Sequence, residues 1–88
     1  MEVQFYKGFE RQLDKIKEKK LLNHVKKAVK LVQEAKTFHD IPNLKKMKAS
    51  KTAYRIKVGN FRIGFYFIDN IVSFAAFGHR KDIYKRFP

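Results

Sequence analysis

The fold is decided by residues 53–68, whose sequence is AYRIKVGNFRIGFYFI. Apolar and polar side chains alternate through most of this stretch, a pattern that predicts β-strands with one face on a core. The dipeptide Gly59-Asn60 interrupts the alternation and is typical of two-residue hairpin turns. Such a turn places Val58 opposite Phe61. The stretch is therefore predicted to be an antiparallel hairpin.

The predicted hairpin separates apolar from cationic side chains. The face that we assign to the core carries Ile56, Val58, Phe61, Ile63 and Phe65. The other face, here called the cationic face, carries Arg55, Lys57 and Arg62, with Lys57 opposite Arg62. Like charges that face each other on a sheet destabilise it, by an amount comparable with the ~0.2–1 kcal/mol of a favourable pair. A sheet face that is merely solvated more often mixes positive and negative side chains. The cluster of cations therefore indicates that this face binds a ligand.

A third strand, residues 71–78, is predicted to follow a second tight turn at Asp69-Asn70. Continuing the register places Phe77 and His79 on the cationic face, beside Arg62. The centre of this face is predicted to be a shallow floor formed by Gly64 and Ala75, with Tyr66 and Phe77 as flat surfaces. The cations and His79 form its rim. Cations and stacking rings on one sheet face indicate a platform for nucleic acid.

The first half of the chain carries helical patterns. Val3 and Phe5 predict a short opening strand. A first helical stripe is formed by Phe9, Leu13 and Ile16. After a polar break at residues 18–20, a longer helix is predicted over residues 21–35. Three further pieces are a loop at residues 38–43, a strand at residues 44–48 and a basic tail at residues 79–88.

This order of elements predicts an α+β fold in a single domain over residues 1–88. An N-terminal strand is followed by a helical hairpin, and the helices pack on one face of a small, mainly antiparallel sheet.

The composition excludes several classes of protein. The chain of 88 residues has no Cys, which excludes disulfides and thiolate metal sites. His39 and Asp40 are neighbours, but further ligands are missing, so neither a metal nor another cofactor is expected. No signal peptide or membrane span is visible, and we expect a cytoplasmic protein. The net charge of +13 predicts a polyanionic partner. A membrane is disfavoured, because the apolar stripes are needed to cover the sheet.

The sequence resembles the RelE/ParE superfamily of toxins in three segments. Residues 54–63, YRIKVGNFRI, are similar to the central hairpin of that superfamily, and residues 78–84, GHRKDIY, to its closing segment. Residues 43–48, NLKKMK, are similar to the short strand before the hairpin. The resemblance extends over the whole chain in length and element order. It implies a helical hairpin packed on a small, mainly antiparallel sheet.

The same resemblance implies three alternative functions. RelE-like members are metal-independent endoribonucleases, many of which cut messenger RNA on the ribosome, and this branch is favoured here. ParE-like members instead poison DNA gyrase. An inactive member would only bind its antitoxin. In all three cases the expected protein partner is an acidic antitoxin that is partly disordered until it binds.

The resemblance also implies site residues. Those expected to act in catalysis are Arg55, Lys57, Arg62, His79, Arg80 and Tyr84. Lys57 is the candidate base, since cationic neighbours disfavour the charged form of a lysine. Arg55 and Arg62 are expected to bind the phosphate, and Arg80 to stabilise charge. Tyr84 would stack on or orient the substrate, and His79 could act as acid or base. Apart from the resemblance, the residues expected to bind RNA are Lys48, Lys51, Tyr66, Phe77 and Lys81.

Overall fold

Five strands form a single sheet in the computed structural model, which describes the whole of residues 1–88. The strands are β1 (Glu2–Phe5), β2 (Leu44–Lys46), β3 (Ala53–Val58), β4 (Phe61–Ile68) and β5 (Ile71–His79). Their order is β1-β5-β4-β3-β2, with β1 parallel to β5 and the other pairs antiparallel. Two helices, α1 (Lys7–Asp14) and α2 (Lys19–Glu34), pack on one face. This arrangement confirms the predicted α+β fold.

Both hairpin turns have the predicted two residues. Val58 lies opposite Phe61 across the first turn, so the predicted register of β3 and β4 is confirmed. Gly59 has a φ of 59°, a left-handed conformation that glycine adopts without steric cost. Across the second turn, Asp69 and Asn70 both have positive φ, as a type I′ hairpin turn requires.

The main core lies between the helices and the sheet. Phe9 of α1 and Val25 and Val32 of α2 are fully buried. The ring of Phe74 lies 5.4 Å from that of Phe9 and 6.0 Å from that of Phe65, measured between ring centres. The helical stripes of the sequence are therefore the faces that bury apolar surface against the strands.

The ends of the helices differ slightly from the prediction. The break between α1 and α2 covers residues 15–18 rather than 18–20. α1 ends at Asp14, before Ile16 of the predicted stripe, and α2 already begins at Lys19. Lysine favours the helix, and Lys19 is exposed, so the extension costs little. The predicted loop at residues 38–43 contains a short 3-10 helix, Phe38–Asp40. Neither α1 nor α2 is long and apolar enough to cross a membrane.

A β-bulge in β5 changes the face of the residues that follow it. Phe65 pairs with Phe74, but Gly64 pairs with Ala76, which leaves Ala75 without a partner. One extra residue reverses the alternation of side chains, so the faces predicted for the residues beyond this point are wrong. Two successive alanines gave no signal of the bulge, because a small side chain fits either face.

The bulge moves Phe77 into the main core. The side chain is 6% exposed, and its ring is stacked on that of Phe61 at 5.3 Å. The backbone N–H of Phe77 donates a hydrogen bond of 2.7 Å to Oε1 of Gln12 in α1. The predicted position of Phe77 on the cationic face is therefore wrong.

A second apolar cluster covers part of the cationic face. Its buried members are Met47, Ala53, Ala76, Ile83 and Phe87. The last two belong to residues 80–88, here called the C-terminal segment, which contains a 3-10 helix, Ile83–Lys85. This segment folds across the sheet on the side opposite the helices. The cationic face is thus not the open platform that the hairpin register alone predicts.

Gln12→Ala is expected to lower the free energy of unfolding by about 1–3 kcal/mol, because the part-buried N–H of Phe77 loses its acceptor. Urea unfolding followed by circular dichroism measures the change. Gln33→Ala is the matched control, since Gln33 is exposed on α2, and it is expected to shift stability by less than about 0.5 kcal/mol. Equal stability of the two variants would contradict the role of Gln12.

Candidate functional site

A cleft opens where the C-terminal segment meets β2 and β3. Its volume is about 360 Å³. Its walls are formed by Lys45, Lys46, Met47, Lys48, Ala49, Arg55, Tyr84, Phe87 and Pro88. Four of these side chains are cationic and none is anionic, so the cleft attracts anions. We call it the basic cleft.

Arg55 and Tyr84 meet in the basic cleft. Cζ of Arg55 lies 5.8 Å from the centre of the Tyr84 ring, which is within the range of a cation–π contact. Arg55 is half-buried, whereas Tyr84 is 51% exposed, so the ring remains accessible to a ligand. Both residues were implicated by the sequence, and folding of the C-terminal segment brings them together.

Lys57 continues the cationic face beyond Arg55. It lies opposite Arg62 in the hairpin, as predicted, and its side chain is exposed. Arg80 lies at the same end of the sheet, because its backbone N–H donates a hydrogen bond of 2.8 Å to the carbonyl oxygen of Asn60. The hairpin register therefore groups Arg55 and Lys57 on one face, with Arg80 beside the turn.

Arg62 is directed to the cationic face but is largely buried. Its side chain is 8% exposed. Nη1 donates hydrogen bonds to the carbonyl oxygens of Gly59 and Phe61, at 2.9 and 2.8 Å. Nε is buried and has no hydrogen-bond partner. These bonds tie the guanidinium to the backbone of the turn between β3 and β4, so in this structure Nη1 serves the turn rather than a ligand.

His79 lies on the helix side of the sheet. It pairs with Phe61 in register, and its ring stands edge-on to that of Phe61 with the centres 5.4 Å apart. Its Nδ1 accepts a hydrogen bond of 3.2 Å from the backbone N–H of Lys81. Because the bulge precedes it, the predicted position of His79 on the cationic face is wrong. The sheet separates both His79 and Phe77 from Arg55.

The other residues expected to bind RNA differ in their relation to the basic cleft. Lys48 lines it. Tyr66 is half-buried beside Phe87, with the ring centres 5.1 Å apart. Lys51 and Lys81 are exposed but do not line the cleft. No group of three or more His, Cys, Asp and Glu side chains is arranged to hold a metal ion.

Three residues of this cleft were not predicted from the sequence, namely Lys45, Lys46 and Phe87. Lys45 pairs with Arg55 between β2 and β3, so the alternation along β2 would have identified it once that register was known. Phe87 had a weaker signal, because it is one of only three apolar or aromatic residues, with Ile83 and Tyr84, before the final proline of a basic tail. Its position depends on how the C-terminal segment folds back.

Known proteins are similar to this chain in sequence and in fold. A scan against models of protein families finds no match. A protein named Toxin RelE3 from Methanocaldococcus jannaschii is 36% identical over 93 residues, and the alignment covers the whole of both chains. The chain belongs to the RelE toxin family.

Solved structures of RelE complexes have the same fold. A chain of the RelB-RelE antitoxin-toxin complex from Methanococcus jannaschii matches with a TM-score of 0.78 and 30% identity, covering 97% of this chain and 99% of that chain. A chain of the intact RelBE toxin-antitoxin complex from E. coli matches with a TM-score of 0.69. It is 20% identical and covers 89% of this chain and 94% of that chain, so this likeness concerns the fold alone. The predicted resemblance to RelE-like toxins is confirmed.

Arg62→Ala is expected to lower the free energy of unfolding by about 1.5–3 kcal/mol, because hydrogen bonds from a charged, buried group to the turn are lost. Lys57→Ala is the control, because it removes an exposed charge from the residue that pairs with Arg62. Its free energy of unfolding is expected to change by less than about 0.5 kcal/mol. Urea unfolding of both variants measures the difference. If Arg62→Ala is as stable as Lys57→Ala, the guanidinium does not hold the turn.

Proposed function

We propose that this RelE-family protein is an endoribonuclease toxin that cleaves messenger RNA on the ribosome. The observation that carries the proposal is the pairing of Arg55 with Tyr84 in the basic cleft, a cation and an accessible ring 5.8 Å apart. Single-stranded RNA presents a phosphate and the face of a base side by side. Stacking of a base on an aromatic ring contributes about 1–3 kcal/mol. RNA is therefore a ligand that suits both residues.

The proposed reaction is an attack by the 2′-oxygen of the RNA on the adjacent phosphorus. A base takes the proton of the 2′-hydroxyl, and the bond from the 2′-oxygen to phosphorus forms as the bond from phosphorus to the 5′-oxygen breaks. The departing 5′-oxygen takes a proton from an acid or from water, which leaves a 2′,3′-cyclic phosphate on one fragment and a 5′-hydroxyl on the other. Negative charge accumulates on the phosphoryl oxygens as this happens, and preorganised cations stabilise it. Guanidinium and ammonium groups can supply that charge without a metal ion.

The residues of the cationic face have distinct proposed roles. Arg55 binds the phosphate, for which a guanidinium offers two parallel hydrogen bonds. Lys57 has the role of the base, because its side chain is accessible to the RNA and lies on the same face as Arg55. Tyr84 orients the nucleotide by stacking on it, and Arg80 adds charge at the end of the sheet. The positive charge of the buried Arg62 side chain adds to the attraction of the phosphate, while its Nη1 donates hydrogen bonds to the backbone of the turn.

We also propose that an acidic antitoxin is the protein partner. The complexes from Methanococcus jannaschii and E. coli that this chain resembles each contain a RelB antitoxin and a RelE toxin. The net charge of +13 supports a partner of opposite sign, because such a partner relieves the self-repulsion of the chain. Charge complementarity of this kind also accelerates association.

Arg55→Ala, Lys57→Ala and Tyr84→Ala are each expected to slow the cleavage of messenger RNA by about 100-fold or more, since each removes a proposed chemical role. Purified protein is added to a cell-free translation reaction, and RNA ends are mapped by primer extension. Lys30→Ala is the control, because Lys30 is an exposed cation on α2. It is expected to cleave like the wild type.

Intact RNA with unaffected translation in the wild type would contradict the endoribonuclease proposal. A DNA supercoiling assay would then distinguish a gyrase-directed toxin from an inactive relative that only binds its antitoxin. Wild-type cleavage that survives in all three cleft variants would instead move the reaction to another surface.

An RNA with a 2′-deoxynucleotide at the cleavage site is expected to bind without being cut, because the attacking hydroxyl is missing. The affinity of the protein for this RNA should fall as the salt concentration rises. Lys48→Gln should make the plot of log K against log salt less steep by about 0.7, because one phosphate contact is lost. Fluorescence anisotropy over a salt series measures both slopes. Lys30→Gln should leave the slope unchanged. The same slope in Lys48→Gln and the wild type would exclude Lys48 from the RNA contacts.

A further inference from the structure

Gly64 forms a notch in the centre of the cationic face. A Cβ atom on Gly64 would lie 2.6 Å from Cδ2 and 2.8 Å from Cγ of the Phe87 ring, which is closer than carbon atoms that are not bonded can approach. Gly64 pairs with Arg55 on one side and with Ala76 on the other. The Phe87 ring thus rests on bare backbone next to Arg55, and both residues line the basic cleft.

Two buried anchors bracket Tyr84 in the C-terminal segment. Ile83 and Phe87 are each 3% exposed, whereas Tyr84 between them is 51% exposed. The backbone N–H groups of Arg86 and Phe87 donate to the carbonyl oxygen of Ile83 at 3.1 and 2.8 Å, which joins the anchors through one short turn. The place of the Tyr84 ring therefore depends on where these anchors sit on the sheet.

We propose that Phe87 is a positioning residue that acts on the reaction through Tyr84. Its ring, seated in the Gly64 notch, fixes the turn Ile83–Lys85, and this turn holds the Tyr84 ring at Arg55. The inference rests on the proposed function, in which Tyr84 orients the nucleotide. A tyrosine on a loose segment samples many orientations, and small displacements of an orienting group can lower a rate by about 100-fold.

The first test fills the notch. Gly64→Ala is expected to displace the Phe87 ring and to lower kcat for RNA cleavage by about 10- to 100-fold, with KM changed far less. Gly78→Ala is the matched control, because it is the same substitution on the neighbouring strand, where an added Cβ meets no atom within 4 Å. It is expected to keep the wild-type kcat. Equal kcat in Gly64→Ala and the wild type would overturn the proposal.

The second test asks whether Phe87 acts through Tyr84. Phe87→Ala is expected to lower kcat by about 10-fold or more in the wild type but by less than about twofold in a Tyr84→Ala background, since residues that share one role are not additive. Phe87→Leu, which keeps an apolar side chain for the notch, should recover part of the rate. If the losses from Phe87→Ala and Tyr84→Ala multiply, Phe87 does not act through Tyr84.

The third test reports on position without any RNA. The chain contains no Trp, so Tyr84→Trp introduces a single Trp in the C-terminal segment. Its fluorescence can be excited at wavelengths that the remaining Tyr side chains do not absorb. Adding Gly64→Ala or Phe87→Ala to this variant should increase quenching by acrylamide, while adding Gly78→Ala should not. Quenching that is unchanged by Gly64→Ala and Phe87→Ala would overturn the inference even if RNA is cleaved. Absence of cleavage by the wild type would overturn the proposed function and with it the effect on a rate, whereas quenching would still decide whether Phe87 positions residue 84.

Folding of each variant is checked by urea unfolding. Should Gly64→Ala not fold, the double variant Gly64→Ala/Phe87→Ala replaces it, because removal of the ring leaves room for the added methyl group. This double variant must then match Phe87→Ala alone in kcat and in quenching. A clear difference between the two would show that the notch acts by some route other than the ring.

Discussion

The two-residue turn at Gly59-Asn60 is the constraint on which the rest of the structure depends. It sets the register in which Lys57 faces Arg62 and Arg55 faces Gly64. Apolar side chains are thereby directed to the helices, and cations gather on the opposite face at an electrostatic cost. Arg62 donates hydrogen bonds back to the carbonyl oxygens of Gly59 in this turn and of Phe61 directly after it, so the turn and the cationic face support one another.

A glycine in the middle of a strand ordinarily weakens a sheet, unless another group must approach the backbone closely. Gly64 is such a case, because the Phe87 ring rests directly upon it. Together with Ala53 and Ala76 it leaves space for a second apolar cluster on a face that is otherwise cationic. In a chain of 88 residues, where one core is small, this cluster adds buried apolar surface. The segment that provides it also carries Tyr84 to Arg55.

Sequence patterns predicted the face of a residue only where the strands are regular. The grouping of Arg55, Lys57 and Arg62 was predictable, since both the alternation and the turn are local features. Beyond Phe74 the prediction failed, and Phe77 and His79 lie on the helix side of the sheet. The bulge responsible brings Phe77 against Phe61, a contact between residues on two strands. Nothing in the residues next to the bulge specifies that contact.

By itself, the sequence determined the order of the elements, the hairpin register, the cationic face and the likeness to RelE toxins. These properties depend on periodicity, turn residues and charges that lie close together in the chain. Only the tertiary structure decided that the C-terminal segment closes over the sheet, that Arg55 meets Tyr84 and that Arg62 bonds to the turn. The closure of the C-terminal segment and the contact of Arg55 with Tyr84 join residues that are distant in the chain, and both depend on how side chains pack on one surface. The hydrogen bonds of Arg62 depend on the burial of its guanidinium. Local patterns do not encode that packing or that burial.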